Sequence, residues 1–148
     1  FYLVGSLLVL ANGWFDLLDG ALAREHGTAS DSGDLLDHVL DRYADVAIVG
    51  GLAAGLGAYA LGFLAVTGVL LTSYLGTQAQ ALGAGRAYGG LVGRADRLAL
   101  VALGTAAAAF TATTVGGISI VGWILVALAV AGHLTAIQRS VLVYRALE

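Results

Sequence analysis

The sequence predicts an all-α integral membrane protein, a polytopic helical bundle with five transmembrane helices in this chain. Three observations predict it. The 148 residues are 59% hydrophobic and 11% charged, with a mean hydropathy of +0.88, whereas soluble domains carry about 25% charged residues. Five apolar stretches each come near the ~20 residues needed to cross a bilayer. The charges that do occur collect in the links and at one set of stretch ends. There is no Cys, which excludes disulfides and thiolate chemistry.

In chain order, the first stretch runs from Phe1 to about Leu18 and continues into aspartates without a pause. No basic segment precedes it, so it does not read as a signal peptide. Glu25 to Asp34 is polar and glycine-bearing, a water-exposed link. The second span is expected from about Leu35 to Tyr59 and the third from about Leu61 to Leu82. Gly83 to Asp96 is a second polar link, holding Arg86 and Arg94. The fourth span is expected from about Arg97 to Val115 and the fifth from about Ile118 to Ala136, followed by a tail with Arg139 and Arg145. Arg24, Arg86, Arg94, Arg97, Arg139 and Arg145 fall at alternate ends, whereas Gly57–Gly62 and Thr113–Gly117 carry no charge. The positive-inside rule then puts the arginine ends in the cytoplasm and Phe1 outside. The chain has no Met and opens in an apolar run, so it is expected to be a fragment or trimmed domain, one transmembrane unit over 1–148, and Phe1 outside would need an odd number of spans before it.

The chemistry concentrates between Asp16 and Asp41. On a helix Asp16, Asp19 and Ala23 share one face, as do Asp37 and Asp41 on the next helix. The four carboxylates are therefore expected to converge across one helical hairpin. Each mid-membrane Asp costs roughly 2.5–3.5 kcal/mol, so four unpaired ones would cost about 10–14. Metal is the natural compensation. With no Cys and no His at ligand spacing, an all-carboxylate set suits Mg²⁺ or Mn²⁺, and two divalent ions would balance four charges. A two-ion carboxylate site serves displacement at phosphorus. Arg24 offers a forked contact to phosphate. Gly20 and Ala23 let a nucleotide approach the helix backbone closely, and Asp41 is placed to take a proton from an attacking hydroxyl.

The pattern Asp-x2-Asp-Gly-x2-Ala-Arg-x8-Gly-x3-Asp-x3-Asp resembles the signature of the CDP-alcohol phosphotransferases, membrane enzymes of phospholipid synthesis. Every fixed position is present: Asp16, Asp19, Gly20, Ala23, Arg24, Gly33, Asp37 and Asp41. The resemblance implies six transmembrane spans, so that this chain lacks its first transmembrane helix. It also implies a bound CDP-linked lipid, two metal ions on Asp16, Asp19, Asp37 and Asp41, and Asp41 as the base. The nucleotide is expected at Asp19, Gly20, Ala23, Arg24, Gly33 and Asp37, with Ser30 of the adjoining link beside it. The acceptor's hydroxyl would attack the lipid-side phosphorus, and CMP would leave.

The acceptor is sought at the second link. Ser73-Tyr74 and Thr77-Gln78 bring polar groups late in an apolar stretch, and Arg94-Ala95-Asp96-Arg97 follows. The last run resembles the charged helix start of members that use inositol phosphate or glycerol phosphate, which makes Ser73, Arg94 and Arg97 the acceptor candidates. Some such members carry an arginine-rich run after the Ser-Tyr pair, where this chain has Leu75-Gly76-Thr77-Gln78-Ala79-Gln80. A non-phosphorylated acceptor such as serine is the alternative. Asp45, one turn past Asp41, is expected to pair with an arginine rather than to bind metal. Gly51-x3-Gly55 offers a face for a homodimer, and no nucleic-acid partner is expected. An intramembrane cation transporter would spread polar groups through several spans, yet the fourth and fifth are almost bare of them. A non-catalytic scaffold would have lost an aspartate, and none is lost.

Overall fold

The structure, a computed structural model, describes residues 1–25, 30–85 and 93–148. Five helices account for most of it: α1 (Tyr2–Glu25), α2 (Asp31–Leu56), α3 (Tyr59–Ala81), α4 (Arg94–Phe110) and α5 (Ile120–Leu147). A two-residue-per-strand hairpin, β1 (Thr114–Val115) with β2 (Ile118–Ser119), joins the last two. The five expected spans thus correspond to five helices. Among the described residues, α3 and α5 are by length and composition able to cross a membrane by themselves.

Two boundaries differ from the sequence expectation. The fourth helix stops at Phe110 rather than near Val115. Thr111, Thr113 and Thr114 are β-branched and give little to a helix. Gly116 and Gly117 both take positive φ, 61° and 78°, and so turn the chain into the hairpin. The fifth helix does not end at Ala136 but continues to Leu147, carrying Arg139 and Arg145 on helical backbone.

The bundle is held most closely along the seam of α3 and α5. A Cβ on Gly132 would lie 2.8 Å from the carbonyl carbon of Gly68, so the two backbones touch where neither residue has a side chain. Beside that contact the buried Thr72 hydroxyl reaches both Gly132 O at 2.8 Å and Gly68 O at 2.9 Å. Arg139 donates from α5 to Thr72 O at 2.8 Å, and His133 lies 3.1 Å from Leu64 O. α2 packs on α3, α4 on α5, and α1 on α4, where Ser6 donates to Ala102 O at 2.8 Å. The shared core is small and aliphatic: Val49, Ala53, Ala65, Val69, Val101, Ala102, Ile124, Leu125 and Leu128.

The outside is apolar as well. Leu7, Trp14, Leu36, Phe63, Leu103 and Ile137 all lie largely exposed, an outer surface too continuous for a water-facing monomer. Among the described residues the aspartates and arginines gather toward one end of the bundle, where α1, α3 and α5 finish and α2 and α4 begin.

Candidate active site

Each element reaches that end for a local reason. Ser30 caps α2, its hydroxyl accepting from Gly33 N at 3.2 Å, so the helix starts at Asp31 and places Asp37, Asp41 and Asp45 along successive turns. At α4, the Asp96 carboxylate accepts from Gly93 N at 2.9 Å and sets Arg94 in the first turn. A cation at a helix N-terminus opposes the helix dipole, so Arg94 needs carboxylates nearby. They come from two other helices.

Asp16 on α1 and Asp37 and Asp41 on α2 each present an oxygen within 4.8 Å of the others. Arg94 reaches into this group. Its Nη1 is ion-paired with Asp16, its Nη2 lies 2.7 Å from Asp41 Oδ1, and the same Nη2 reaches Asn12 Oδ1 at 3.4 Å. Among the described residues α1 and α2 share no broad packing, and the ion pairs through Arg94 add a contact between these two helices, which follow each other directly in the chain. Asp37 is exposed and Asp16 half-buried, while the Asp41 side chain is only 14% exposed.

One turn deeper the pattern changes. Asp45 and Arg97 are both buried, with Arg97 Nη2 3.4 Å from Asp45 Oδ2. Arg97 also donates to Val69 O at 3.2 Å and to Ser73 Oγ at 3.4 Å, which ties α4 to α3. The arginine pairing expected for Asp45 is therefore present. Arg42 joins the two levels: its Nη2 lies 3.4 Å from Asp41 Oδ2 and its Nε 3.5 Å from Asp45 Oδ2.

The sequence-predicted residues sort accordingly. Asp16, Asp37 and Asp41 come together; Arg94 joins them; Ser73 and Arg97 meet at the deeper level. Ser30 and Gly33 sit at the start of α2, where the Ser30 hydroxyl makes the cap. α1 continues as helix through Asp19, Gly20, Ala23 and Arg24, but the side-chain placements expected there lie outside the described residues, as does Arg86. Sequence reasoning missed Arg42 and Asn12. The signal for Arg42 was available, because a charge inside the apolar second stretch, between Asp41 and Asp45, is costly unless used. It also means that not every arginine lies at a stretch end.

The donor set fits a hard divalent cation. It is all carboxylate oxygen, with no sulfur or imidazole, and it already draws a cationic guanidinium between two of its members. Two cavities flank it. A groove of about 460 Å³ between α1 and α4 is lined by Val9, Leu10, Trp14, Leu98 and Ala99 and opens at Asp16 and Arg94. A chamber of about 400 Å³ between α2 and α3 is lined by His38, Arg42, Tyr43, Ser73, Tyr74 and Thr77. Both are largely apolar, with Val39 and Leu70 also in the wall of the second; the groove reaches the cluster at Asp16 and Arg94, and the chamber meets it through Arg42, with the hydroxyl groups of Ser73, Tyr74 and Thr77 in its wall.

Comparison with known proteins agrees with this arrangement. Residues 2–135 match the CDP-alcohol phosphatidyltransferase family. The archaetidylinositol phosphate synthase of Methanothermobacter thermautotrophicus is 33% identical, over 99% of this chain and 72% of that protein. The phosphatidylinositol phosphate synthase of Cutibacterium acnes is 38% identical, over 97% and 74%. The fold is similar to that of Mycobacterium tuberculosis phosphatidylinositol phosphate synthase. Its complex with manganese and citrate superposes with a TM-score of 0.81 at 26% identity, covering 99% of this chain and 76% of that one. The structure of the same enzyme with CDP-DAG bound gives 0.78 at 28% identity, covering 99% and 80%. With its aspartate cluster at the meeting of three helices and the family match spanning nearly its whole length, this chain belongs to the CDP-alcohol phosphatidyltransferase family of enzymes.

Proposed function

We propose that the protein transfers the lipid phosphate group of a CDP-linked lipid to the hydroxyl of a phosphorylated polyol, inositol phosphate or glycerol phosphate, and releases CMP. The observation that carries this reading is the convergence of Asp16, Asp37 and Asp41 within 4.8 Å, beside a groove that opens at Asp16 and a chamber walled in part by Arg42, Ser73, Tyr74 and Thr77. The relatives are named for inositol phosphate products, which favours inositol phosphate of the two.

In this reading Asp16, Asp19, Asp37 and Asp41 hold two divalent cations, Mg²⁺ or Mn²⁺. The metal's part is to bind the diphosphate and stabilise the charge that develops at phosphorus. Asp19, Gly20, Ala23, Arg24, Ser30, Gly33 and Asp37 surround the nucleotide. The groove between α1 and α4 takes the lipid's apolar part, because its walls are aliphatic and aromatic and it opens beside Asp16. The acceptor enters the chamber between α2 and α3, where Ser73 of its wall orients it, backed by the buried Arg97 whose Nη2 lies 3.4 Å from Ser73 Oγ, with Arg94 as the further acceptor contact beside the aspartates. Asp41 accepts the proton of the acceptor's hydroxyl. That oxygen forms a bond to the lipid-side phosphorus, the bond from this phosphorus to the CMP oxygen breaks, and CMP leaves as the anion. In this reading all five helices span the membrane and the site faces the cytoplasm, as the arginine-bearing ends favour. At the exposed Gly51 and Gly55 an added Cβ would meet no other part of the described residues within 4 Å, which suits a homodimer.

The test is CMP release by the protein in detergent with Mg²⁺ or Mn²⁺ and a CDP-linked lipid. The acceptors are inositol phosphate, glycerol phosphate, free inositol and serine. Release driven by a phosphorylated polyol, lost with EDTA and restored by added metal, is the expected result. Release driven by serine or free inositol alone would overturn the acceptor class, and release that survives EDTA would overturn the metal role.

A further inference from the structure

The polar end of the bundle contains an unbroken line of alternating charge: Arg94, Asp41, Arg42, Asp45 and Arg97. The successive ion-pair distances are 2.7, 3.4, 3.5 and 3.4 Å. Arg94 and Arg97 lie on one side of α4 and the two aspartates on α2, yet the link between the aspartates is made within α2 itself, by Arg42. The two oxygens of Asp41 are divided between arginines. Oδ1 faces Arg94 from α4, and Oδ2 faces Arg42. A carboxylate held by both oxygens has its plane fixed, which is what a proton acceptor needs when the hydroxyl must arrive along one direction.

Arg42 differs from the other arginines of the line in where it stands. Arg97 is buried, and Arg94 borders the apolar groove. The Arg42 side chain is 29% exposed and forms part of the wall of the α2–α3 chamber, with Ser73, Tyr74 and Thr77 opposite. A purely structural arginine would satisfy Asp45 alone, and Arg97 already does that. We infer that Arg42 is a positioning residue for the transfer: it orients Asp41 toward the chamber from which the acceptor's hydroxyl comes, with Asp45 as its own anchor. The inference rests on the reading of Asp41 as the base and adds a residue to it.

The extended guanidinium spans both carboxylates, since Nη2 donates to Asp41 Oδ2 while Nε, without a hydrogen bond, lies 3.5 Å from Asp45 Oδ2 as an ion pair. Lysine offers one point charge and cannot reproduce both contacts. Arg42→Ala should therefore lower kcat about 100-fold, in the range a misplaced reacting group costs. The KM values for CDP-lipid and acceptor should stay within about threefold, and so should Mn²⁺ affinity by electron paramagnetic resonance. Arg42→Lys should keep the fold and recover only part of the rate, and added guanidinium should rescue Arg42→Ala through the open chamber. A raised acceptor KM with unchanged kcat would overturn the inference in favour of direct acceptor binding. Parallel loss of kcat, Mn²⁺ affinity and melting temperature in both variants, without rescue, would overturn it in favour of a structural role. The assay uses whichever alcohol the wild-type protein accepts, so a wrong acceptor class and a wrong assignment of Arg42 give different results.

Discussion

Asp41 and Asp45 stand one turn apart on the same helix, and each faces arginine, yet their surroundings demand different things. Asp45 is buried and meets Arg97, whose Nη groups also reach Val69 O and Ser73 Oγ. Asp41 meets Arg94 and Arg42 but also stands among two other carboxylates, one of them exposed. The deeper group is electrically closed, because Asp45 is the one carboxylate between Arg97 and Arg42, and its contacts fasten α2, α3 and α4. The shallower group holds more negative charge than its neighbours cancel and is open to two cavities. A closed pair resists change; an open cluster invites a cation and a substrate. The comparison teaches that the same residue type, four residues or about 6 Å further along a helix, passes from an open cluster to a fastening.

The largest expected effect comes from breaking the open side. Asp41→Asn should lower CMP release by 10² to 10⁴-fold, about the range for losing a general base. It should leave the melting temperature within a few degrees of wild type. Binding of the CDP-linked lipid should persist in part, measured by equilibrium binding of a labelled CDP-lipid. Total loss of binding would mean that Asp41 acts mainly as a ligand.

Breaking the closed side should do the reverse. Asp45→Ala leaves Arg97 buried and unpaired, a change that typically costs about 3–5 kcal/mol. The expected readout is a clear fall in thermal stability in detergent. The double variant Asp45→Leu with Arg97→Met removes both charges and should recover most of that stability, since replacing a buried pair by apolar groups is often neutral. It should not recover acceptor affinity if Arg97 holds the acceptor. Stability no better than in the single variant would show that the two charges are not each other's main partner.

The smallest effect is expected at the start of α2. Ser30→Ala removes the cap on Gly33 N and should cost about 1 kcal/mol, with the helix entry to the aspartates loosened and kcat little changed. A loss of nucleotide affinity without a loss of stability would instead place the Ser30 hydroxyl on the nucleotide.

Much of this molecule was legible in the sequence. Hydropathy marked five helices because the solvent-facing and buried sides are both apolar and only the links are polar. The spacing of Asp37 and Asp41 put them on one helical face, since helix periodicity is local and needs no tertiary knowledge. The ends were less legible. α4 gave way to a hairpin near Thr111, where β-branched threonines and paired glycines outweigh continued apolarity, and α5 kept its helix past Ala136 because charge at a helix end does not break it.

The sequence by itself determined the composition of the site: which residues could hold a metal, that they would share helix faces, and which family they belong to. The tertiary structure alone decided their partners. Arg94 is 78 residues from Asp16 in the chain and Arg97 is 52 from Asp45, and no local pattern ranks one arginine above another at such separations. Close contact of Gly68 and Gly132 fixes α3 against α5, and α4, packed on α5, brings Arg94 and Arg97 to two depths of α2. Charge pairing follows distance in three dimensions, and packing sets that distance.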